Sequence, residues 1–298
     1  MRAGEKRSRT YYALAGFFAL FVLFLYGPMI SILVLSFQGP QGGLTFPMNG
    51  ASLHWFERLF EGGGQVAVDA AAWRSLKLAL LVMVLTVVIS VLAGMAFRRR
   101  FLGSTALLYT AIASLIVPSI VVSLGLALEF RLIDDAIKDV GNAFSIREIQ
   151  RGFTTALGPF TSGLGAHLTW TLPFGLLIMF AVFNRFDPAY EEAARDLGAS
   201  PWQTFRHVTL PIIAPFLIGV AVFGFTLSWD ELARSSQVMG SQNTLPMQLA
   251  AKTTTVTDPE IYALGTATSG GSLLLVGLAL TLANLLRRGR ARGGRAQS

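Results

Sequence analysis

The sequence has 298 residues, of which 53% are hydrophobic and only 14% are charged. An average soluble domain carries about 25% charged residues, so the composition excludes an ordinary soluble protein and predicts one embedded in a bilayer. The pI of about 10.1 does not indicate nucleic-acid binding, because most basic residues flank apolar runs, where membrane orientation and anionic headgroups account for them. There is no cysteine, which excludes disulfides and thiol chemistry.

Six apolar runs are long enough to cross a bilayer as helices, which takes about 20 residues each. They cover 12–37, 78–97, 103–128, 165–183, 212–229 and 263–286. Their even hydrophobicity argues against the alternation of a β-barrel. The first run follows basic residues as in a signal peptide, but it is too long and has no small-residue cleavage site, so we expect it to be retained. The sequence predicts an all-α integral membrane protein with six transmembrane helices in one domain, 1–298.

Basic residues set the expected orientation. Most of the 24 lysines and arginines lie in the N-terminal tail, the second and fourth connections and the C-terminal tail. By the positive-inside rule these segments face the cytoplasm. We therefore predict that both termini are cytoplasmic.

Three polar segments fall on the opposite side and are too short for a core of their own: 38–74, 130–163 and 230–262. Within the first, 51–61 predicts an amphipathic helix along the membrane interface. Within the second, 131–151 predicts two short polar helices broken at Gly141. Pro118 and Pro173 lie mid-span and predict kinks.

The fourth connection contains the most specific local pattern, YEEAARDLGASPWQTFRHVTLP at 190–211. Asp187 before Pro188 predicts a capped helix start. A helix then covers 189–197, and Gly198 is typical of a left-handed C-terminal cap. This half of the connection is predicted to be one short helix and a tight turn.

A second helix start follows immediately. Ser200 and Pro201, with Gln203 three residues after the serine, form a capping-box pattern. The second helix is expected to reach about Leu210, where Pro211 interrupts it and the fifth span begins. The hairpin 187–211 is either a solvated loop tip without a partner or a rigid docking element for a cytoplasmic protein.

The spacing favours the second interpretation. Glu192-Ala193-Ala194, then Gly198 after three intervening residues and Val208-Thr209-Leu210-Pro211 after nine more, resemble the EAA signature of ABC importer permeases, with valine where that family has isoleucine. The resemblance implies a type I ABC importer permease fold in the bacterial inner membrane. It implies that the hairpin is the coupling helix, seated in a groove of a partner ATPase. The coupling residues would be Glu191, Glu192, Ala193, Ala194, Gly198, Ser200 and Pro201.

Carboxylates at the non-cytoplasmic ends of two spans suggest which class of solute the protein transports. Asp230 and Glu231 lie about 19 residues beyond Pro211, roughly 28 Å along a helix, and Glu129 ends the third span. Acidic rings suit cationic solutes, and Trp229 could add a cation–π contact. Solvated helix ends are the alternative for the carboxylates, and an interfacial anchor is the alternative for Trp229.

The stretches FTLSWDEL, LPMQL and DPEIYALGTA resemble the spermidine/putrescine permease subgroup and imply polyamine import. Two features depart from that subgroup. Arg234 stands where an apolar residue is usual, so it weakens cation attraction or forms a salt bridge with Glu231, and the segment 130–163 is long. An amino-acid derivative, an opine or a phosphonate therefore remains as an alternative solute. His167 in the fourth span either faces the pathway or is satisfied by a neighbouring helix.

No Walker A pattern is present, so the chain is not expected to hydrolyse ATP. We expect no cofactor or metal in this chain, with ATP–Mg held by partner ATPases. The expected partners are two cytoplasmic ATPases, a second homologous permease, a periplasmic binding protein and membrane lipid, but no nucleic acid. An intramembrane enzyme is disfavoured because its motifs are missing, and a secondary transporter because the span centres carry no charge.

Overall fold

The computed structural model describes residues 8–43, 48–60, 68–99, 101–255 and 259–293. These residues form helices and no named β-strand; one isolated bridge pairs Gln38 with Ala51. The helices, in chain order α1 to α12, are Arg9–Leu35, His54–Phe60, Val68–Phe97, Ser104–Ala113, Ser119–Ala143, Arg147–Gly152, Ser162–Asn184, Ala189–Asp196, Pro201–Thr204, Leu210–Trp229, Leu245–Thr255 and Pro259–Gly293. The predicted all-α class is confirmed.

Five helical runs in the described chain are long and apolar enough to cross a membrane: Arg9–Leu35, Val68–Phe97, Ser162–Asn184, Pro201–Trp229 and Pro259–Leu278. The predicted count of six is therefore not confirmed. The prediction of one continuous helix over 103–128 is wrong, because the chain leaves α4 after Ala113 and restarts in α5 at Ser119. Pro118 has no amide hydrogen to donate and disfavours the α conformation of the residue before it.

The proline in the other span acts differently. Pro173 lies inside α7 without ending it.

The segment 130–163 is organised by a longer α5 than the sequence predicted. This helix runs to Ala143, and the predicted break at Gly141 is wrong. A Cβ at Gly141 would clash with the side chain of Ile149, so the glycine allows α6 to pack closely instead of ending α5. The turn comes later, where Ser145 has φ +52°. The side chain of buried Asp134 accepts a hydrogen bond of 2.7 Å from the backbone amide of Ala156, which holds the later part of the segment against α5.

Contacts divide the chain into two compact units, Met1–Ala67 with Ala251–Gly271 and Val68–Ala250 with Ser272–Ser298. In the first, Trp55 of α2 is buried and its indole donates to the carbonyl of Gly39 at 3.3 Å. The predicted helix in 51–61 is confirmed as α2, while its place at the membrane interface stays a prediction.

In the second unit, α3, α7 and α10 pack against one another through small residues. The Gly94 position of α3 lies against Phe183 of α7. Buried Thr86 and Thr171 share a hydrogen bond of 2.8 Å between the same two helices. Small side chains let helix backbones approach closely in a bilayer, where water does not drive association. These three helices carry both candidate sites.

Candidate functional site

The coupling hairpin, residues 187–211, has the predicted helix–turn–helix form. Asp187 accepts the amide of Ala189 at 3.0 Å and caps α8. Gly198 follows α8 with φ +86°, in the left-handed region that glycine enters without strain. Its amide donates to the carbonyl of Arg195 at 2.8 Å, and the amide of Ala199 donates to Ala194 at 3.1 Å. The turn is therefore closed by the chain's own backbone.

The second helix start is the predicted capping box. The Ser200 amide donates to Oε1 of Gln203 at 2.8 Å, and the Gln203 amide donates to the Ser200 hydroxyl. The prediction that Pro211 interrupts the helix is wrong. A π-helical turn at Phe205–Thr209 precedes the proline, and the amide of Leu210 bonds to the carbonyl five residues back. The wider turn accommodates the proline, so the helical run continues from Pro201 to Trp229.

Glu191 ties α8 to the end of α3 and to the helical run that continues into α10. Its carboxylate is buried, pairs with Arg98 at the end of α3 at 2.8 Å, and accepts the hydroxyl of Thr209 at 2.7 Å. Arg195 lies 3.8 Å away. Burial raises the pKa of Glu191, but the hydrogen bonds from Arg98 and Thr209 and the charges of Arg98 and Arg195 outweigh it and lower the pKa overall. The carboxylate is thus held ionised on the inner face of the hairpin.

The remaining predicted coupling residues lie on the outer face. Ala194 is half-buried, and the others are exposed: Glu192, Ala193, Gly198, Ser200 and Pro201. The apolar side chains of Tyr190, Leu197 and Trp202 are also exposed, with Leu197 retaining 90% of its accessible area. Tyr190 and Trp202 were not among the coupling residues predicted from the sequence, although two aromatic side chains in a hydrophilic hairpin are a usable signal of a partner surface.

A cleft of about 520 Å³ opens between the end of α3 and the hairpin, with Met95, Arg99, Arg195 and Phe205 among its lining residues. The hairpin therefore presents exposed aromatic side chains beside a cleft that is lined by arginines and by the carboxylates of Glu191 and Glu192. Such a surface suits docking of a folded protein partner.

The residues predicted for the solute pathway separate into exposed and buried groups. Glu129 on α5 and Asp230 after α10 are exposed, and Glu231 is half-buried. Desolvation raises the pKa of Asp230 above its ordinary value. In the described part of the chain, no hydrogen bond joins Glu129 to either of the other two carboxylates. Trp229 is half-buried and its ring stacks on Phe225 at 5.8 Å.

His167 is satisfied by its neighbours. The side chain is buried, its Nδ1 lies 2.8 Å from the hydroxyl of Ser228, and its Nε2 lies 3.0 Å from the hydroxyl of Ser235. Both ring nitrogens are therefore in use, which favours the interpretation of His167 as a structural link between α7, the end of α10 and the segment after it.

Arg234 does not form the salt bridge that the sequence analysis considered. Its amide, not its guanidinium, donates to Oε1 of Glu231 at 2.9 Å, and its carbonyl accepts the hydroxyl of Ser123 at 2.8 Å. The guanidinium lies 4.4 Å from the ring centroid of Trp170. Burial lowers the pKa of Arg234 and the charge of Glu231 opposes that shift; arginine remains protonated in proteins.

Apolar helices that could each cross a bilayer, joined by a hairpin with exposed aromatic side chains, define a multi-pass membrane protein. The family model described as "Binding-protein-dependent transport system inner membrane component" matches residues 86–289. The chain belongs to this family and is a multi-pass inner-membrane permease component of a transport system.

Named relatives agree with this assignment. The "Spermidine/putrescine transport system permease protein PotC" of Haemophilus influenzae is 31% identical over 85% of this chain and 89% of its own length. The "Putrescine transport system permease protein PotI" of Escherichia coli K12 is 30% identical over 83% and 82%. A bacterial ABC transporter for the import of the acidic polysaccharide alginate superposes with TM-score 0.66 at 17% identity, covering 92% of this chain and 94% of that one. The predicted ABC importer permease fold is thereby confirmed.

Proposed function

We propose that this chain is a membrane-spanning permease subunit of an ATP-driven importer for a small amine, with the polyamines putrescine and spermidine as the first solutes to test. The observation that carries the proposal is the coupling hairpin. It is rigid, it presents Tyr190, Leu197 and Trp202 outward, and buried Glu191 attaches it to α3 and to the start of α10.

In this proposal two cytoplasmic ATPases bind ATP–Mg and hydrolyse it, and each importer contains a second homologous permease and receives solute from a periplasmic binding protein. The hairpin sits in a groove of one ATPase. When ATP closes the ATPase pair, the hairpin moves and takes α3 and α10 with it as rigid bodies. Glu192, Ala193, Ala194, Gly198, Ser200 and Pro201 form the contact surface, and Glu191 transmits the motion.

The choice of a polyamine is supported by the relatives named for spermidine and putrescine transport. It is also supported by the carboxylates Glu129, Asp230 and Glu231, since acidic groups at a passage attract ammonium groups. Trp229 offers an aromatic face to the same groups.

The test is co-expression with candidate ATPase, second permease and binding-protein subunits from the same organism. We expect the ATPases to copurify, and their rate to rise when the binding protein is loaded with putrescine or spermidine. A binding protein with affinity for neither compound would overturn the polyamine assignment, and loss of ATPase copurification would overturn the importer assignment.

A further inference from the structure

Arg234 is the largest fully buried side chain among the described residues. The nitrogens Nε, Nη1 and Nη2 of its guanidinium have no hydrogen-bond partner in the part of the chain that the structure describes. A buried charge without a partner is strongly destabilising, so proteins rarely keep one without a counter-charge. Stacking on Trp170 at 4.4 Å compensates part of the cost but leaves every donor unused.

The surrounding side chains do not supply the missing acceptors. One Glu231 oxygen accepts the backbone amide of Arg234, and the described residues show no ion pair between that carboxylate and the guanidinium. Both nitrogens of His167 are bonded to serine hydroxyls. The Ser123 hydroxyl donates to the carbonyl of Arg234. Each of these polar groups thus bonds to something other than the guanidinium.

A second buried donor also lacks a hydrogen-bond acceptor. The indole Nε1 of Trp229, in the last residue of α10, is buried and lacks a hydrogen-bond acceptor within the described residues. The indole and the guanidinium can only donate, so both lack acceptor atoms. A water could accept a hydrogen bond from the guanidinium but could not neutralise it. An anionic group does both, and the planar fork of arginine matches the two oxygens of a carboxylate.

We propose that Arg234, stacked on Trp170, is a binding site for a carboxylate carried by the transported solute. The solute is then an amine that also bears a carboxylate, with Asp230 and Glu231 on the amine side. This inference rests on the proposed importer function and changes only the second terminal group of the solute. A site that is sealed when empty is compatible with transport, because an importer closes its passage on at least one side in each state.

The test uses the whole importer complex with its ATPases and second permease, and two probes of equal length, putrescine and 4-aminobutanoate. We expect 4-aminobutanoate to raise the thermal unfolding midpoint of the complex and to be taken up by proteoliposomes in the presence of the binding protein. Arg234→Gln should abolish the midpoint shift and weaken uptake of 4-aminobutanoate by about 30-fold or more, as expected when one partner of a buried charge pair is removed. Arg234→Lys keeps the charge without the planar fork and should retain part of the uptake.

Arg131→Gln is the matched control, because it removes one positive charge from an exposed position of α5; it should behave as the wild type. Arg234→Gln should also raise the midpoint of the solute-free complex, since it removes an unpaired buried charge, and this readout does not depend on transport. The site is refuted if the complex responds to putrescine alone, equally in wild type and Arg234→Gln, and the importer function then stands. A complex that responds to neither probe also refutes the site. Failure of the ATPases to copurify is the separate outcome that refutes the importer.

Discussion

The ion pair between Arg98 and Glu191 allows a quantitative test of how the hairpin is attached. The changes are Glu191→Gln and Arg98→Met, made separately and in combination. Hydrogen bonds to charged groups contribute about 1.5–3 kcal/mol, while exposed ion pairs contribute about 0.2–1 kcal/mol. The side chains of Arg98 and Glu191 retain 20% and 11% of their accessible area. The pair therefore lies between these limits, and we expect a coupling energy of about 1–2 kcal/mol.

The assay is a double-mutant cycle on the purified importer complex, with thermal unfolding and the amount of solute moved per ATP as readouts. Each single change leaves the other partner without its counterpart, so the double variant should lose less than the sum of the two. Solute moved per ATP should fall in Glu191→Gln, because a loosely attached hairpin moves without carrying α3 and α10. Arg195→Gln is the control: Arg195 is 55% exposed and 3.8 Å from Glu191, so its loss should cost no more than about 0.5 kcal/mol.

Two results would refute this reasoning. One is strict additivity of Glu191→Gln and Arg98→Met, which would mean that the carboxylate and the guanidinium do not depend on each other. The other is an unchanged ratio of solute to ATP in Glu191→Gln, which would mean that the hairpin transmits motion without this link.

Folding depresses the pKa of Glu191, so the ionised carboxylate stabilises the folded complex. This contribution should be complete above the unfolded pKa of about 4.5 and should be lost as the pH falls through the folded pKa. Thermal unfolding measured against pH should show this loss in the wild type and not in Glu191→Gln. Gly198→Val should uncouple ATP hydrolysis from uptake, since a φ of +86° costs a β-branched residue about 1–3 kcal/mol. Gly198→Asn is the control and should retain coupling. Normal uptake by the valine variant would contradict the docking role. Gly141→Val should lower the thermal unfolding midpoint, because Ile149 leaves no room for a side chain at this position. Gly152→Ala is the control and should leave the midpoint unchanged, since the space around Gly152 is open. Equal midpoints for the two variants would show that α6 does not pack on α5 in this way.

The hairpin was predictable because its signals are local. Asp187, Gly198 and the Ser200–Gln203 box each act within three residues, so the sequence contains both the cap and the group it satisfies. The orientation of Glu191 was not predictable in the same way. Glu191 and Glu192 are consecutive and point about 100° apart on a helix, and the residue that decides between them is Arg98, far back in the chain.

The prolines and glycines of the spans are visible in the sequence, but their structural roles could not be predicted from it. Pro118 and Pro173 both lie in apolar runs, yet the first separates α4 from α5 and the second stays inside α7. Gly141 was interpreted as a helix breaker and instead makes room for Ile149. A glycine that breaks a helix and one that permits close packing look alike in a single sequence, because the difference is made by the neighbouring element.

The coupling hairpin and the Arg234 site are connected through one helical run. Pro201–Trp229 is continuous over 29 residues, roughly 43 Å at 1.5 Å per residue, and Ser228 at its far end holds His167. A displacement of the hairpin therefore reaches the segment that carries Arg234 without crossing a loop. The π-helical turn at Phe205–Thr209 is the place along this run where the regular hydrogen-bond pattern is relaxed. The α-helix resumes at Leu210 and runs unbroken to Trp229, so α10 should move as one body when a partner displaces the hairpin.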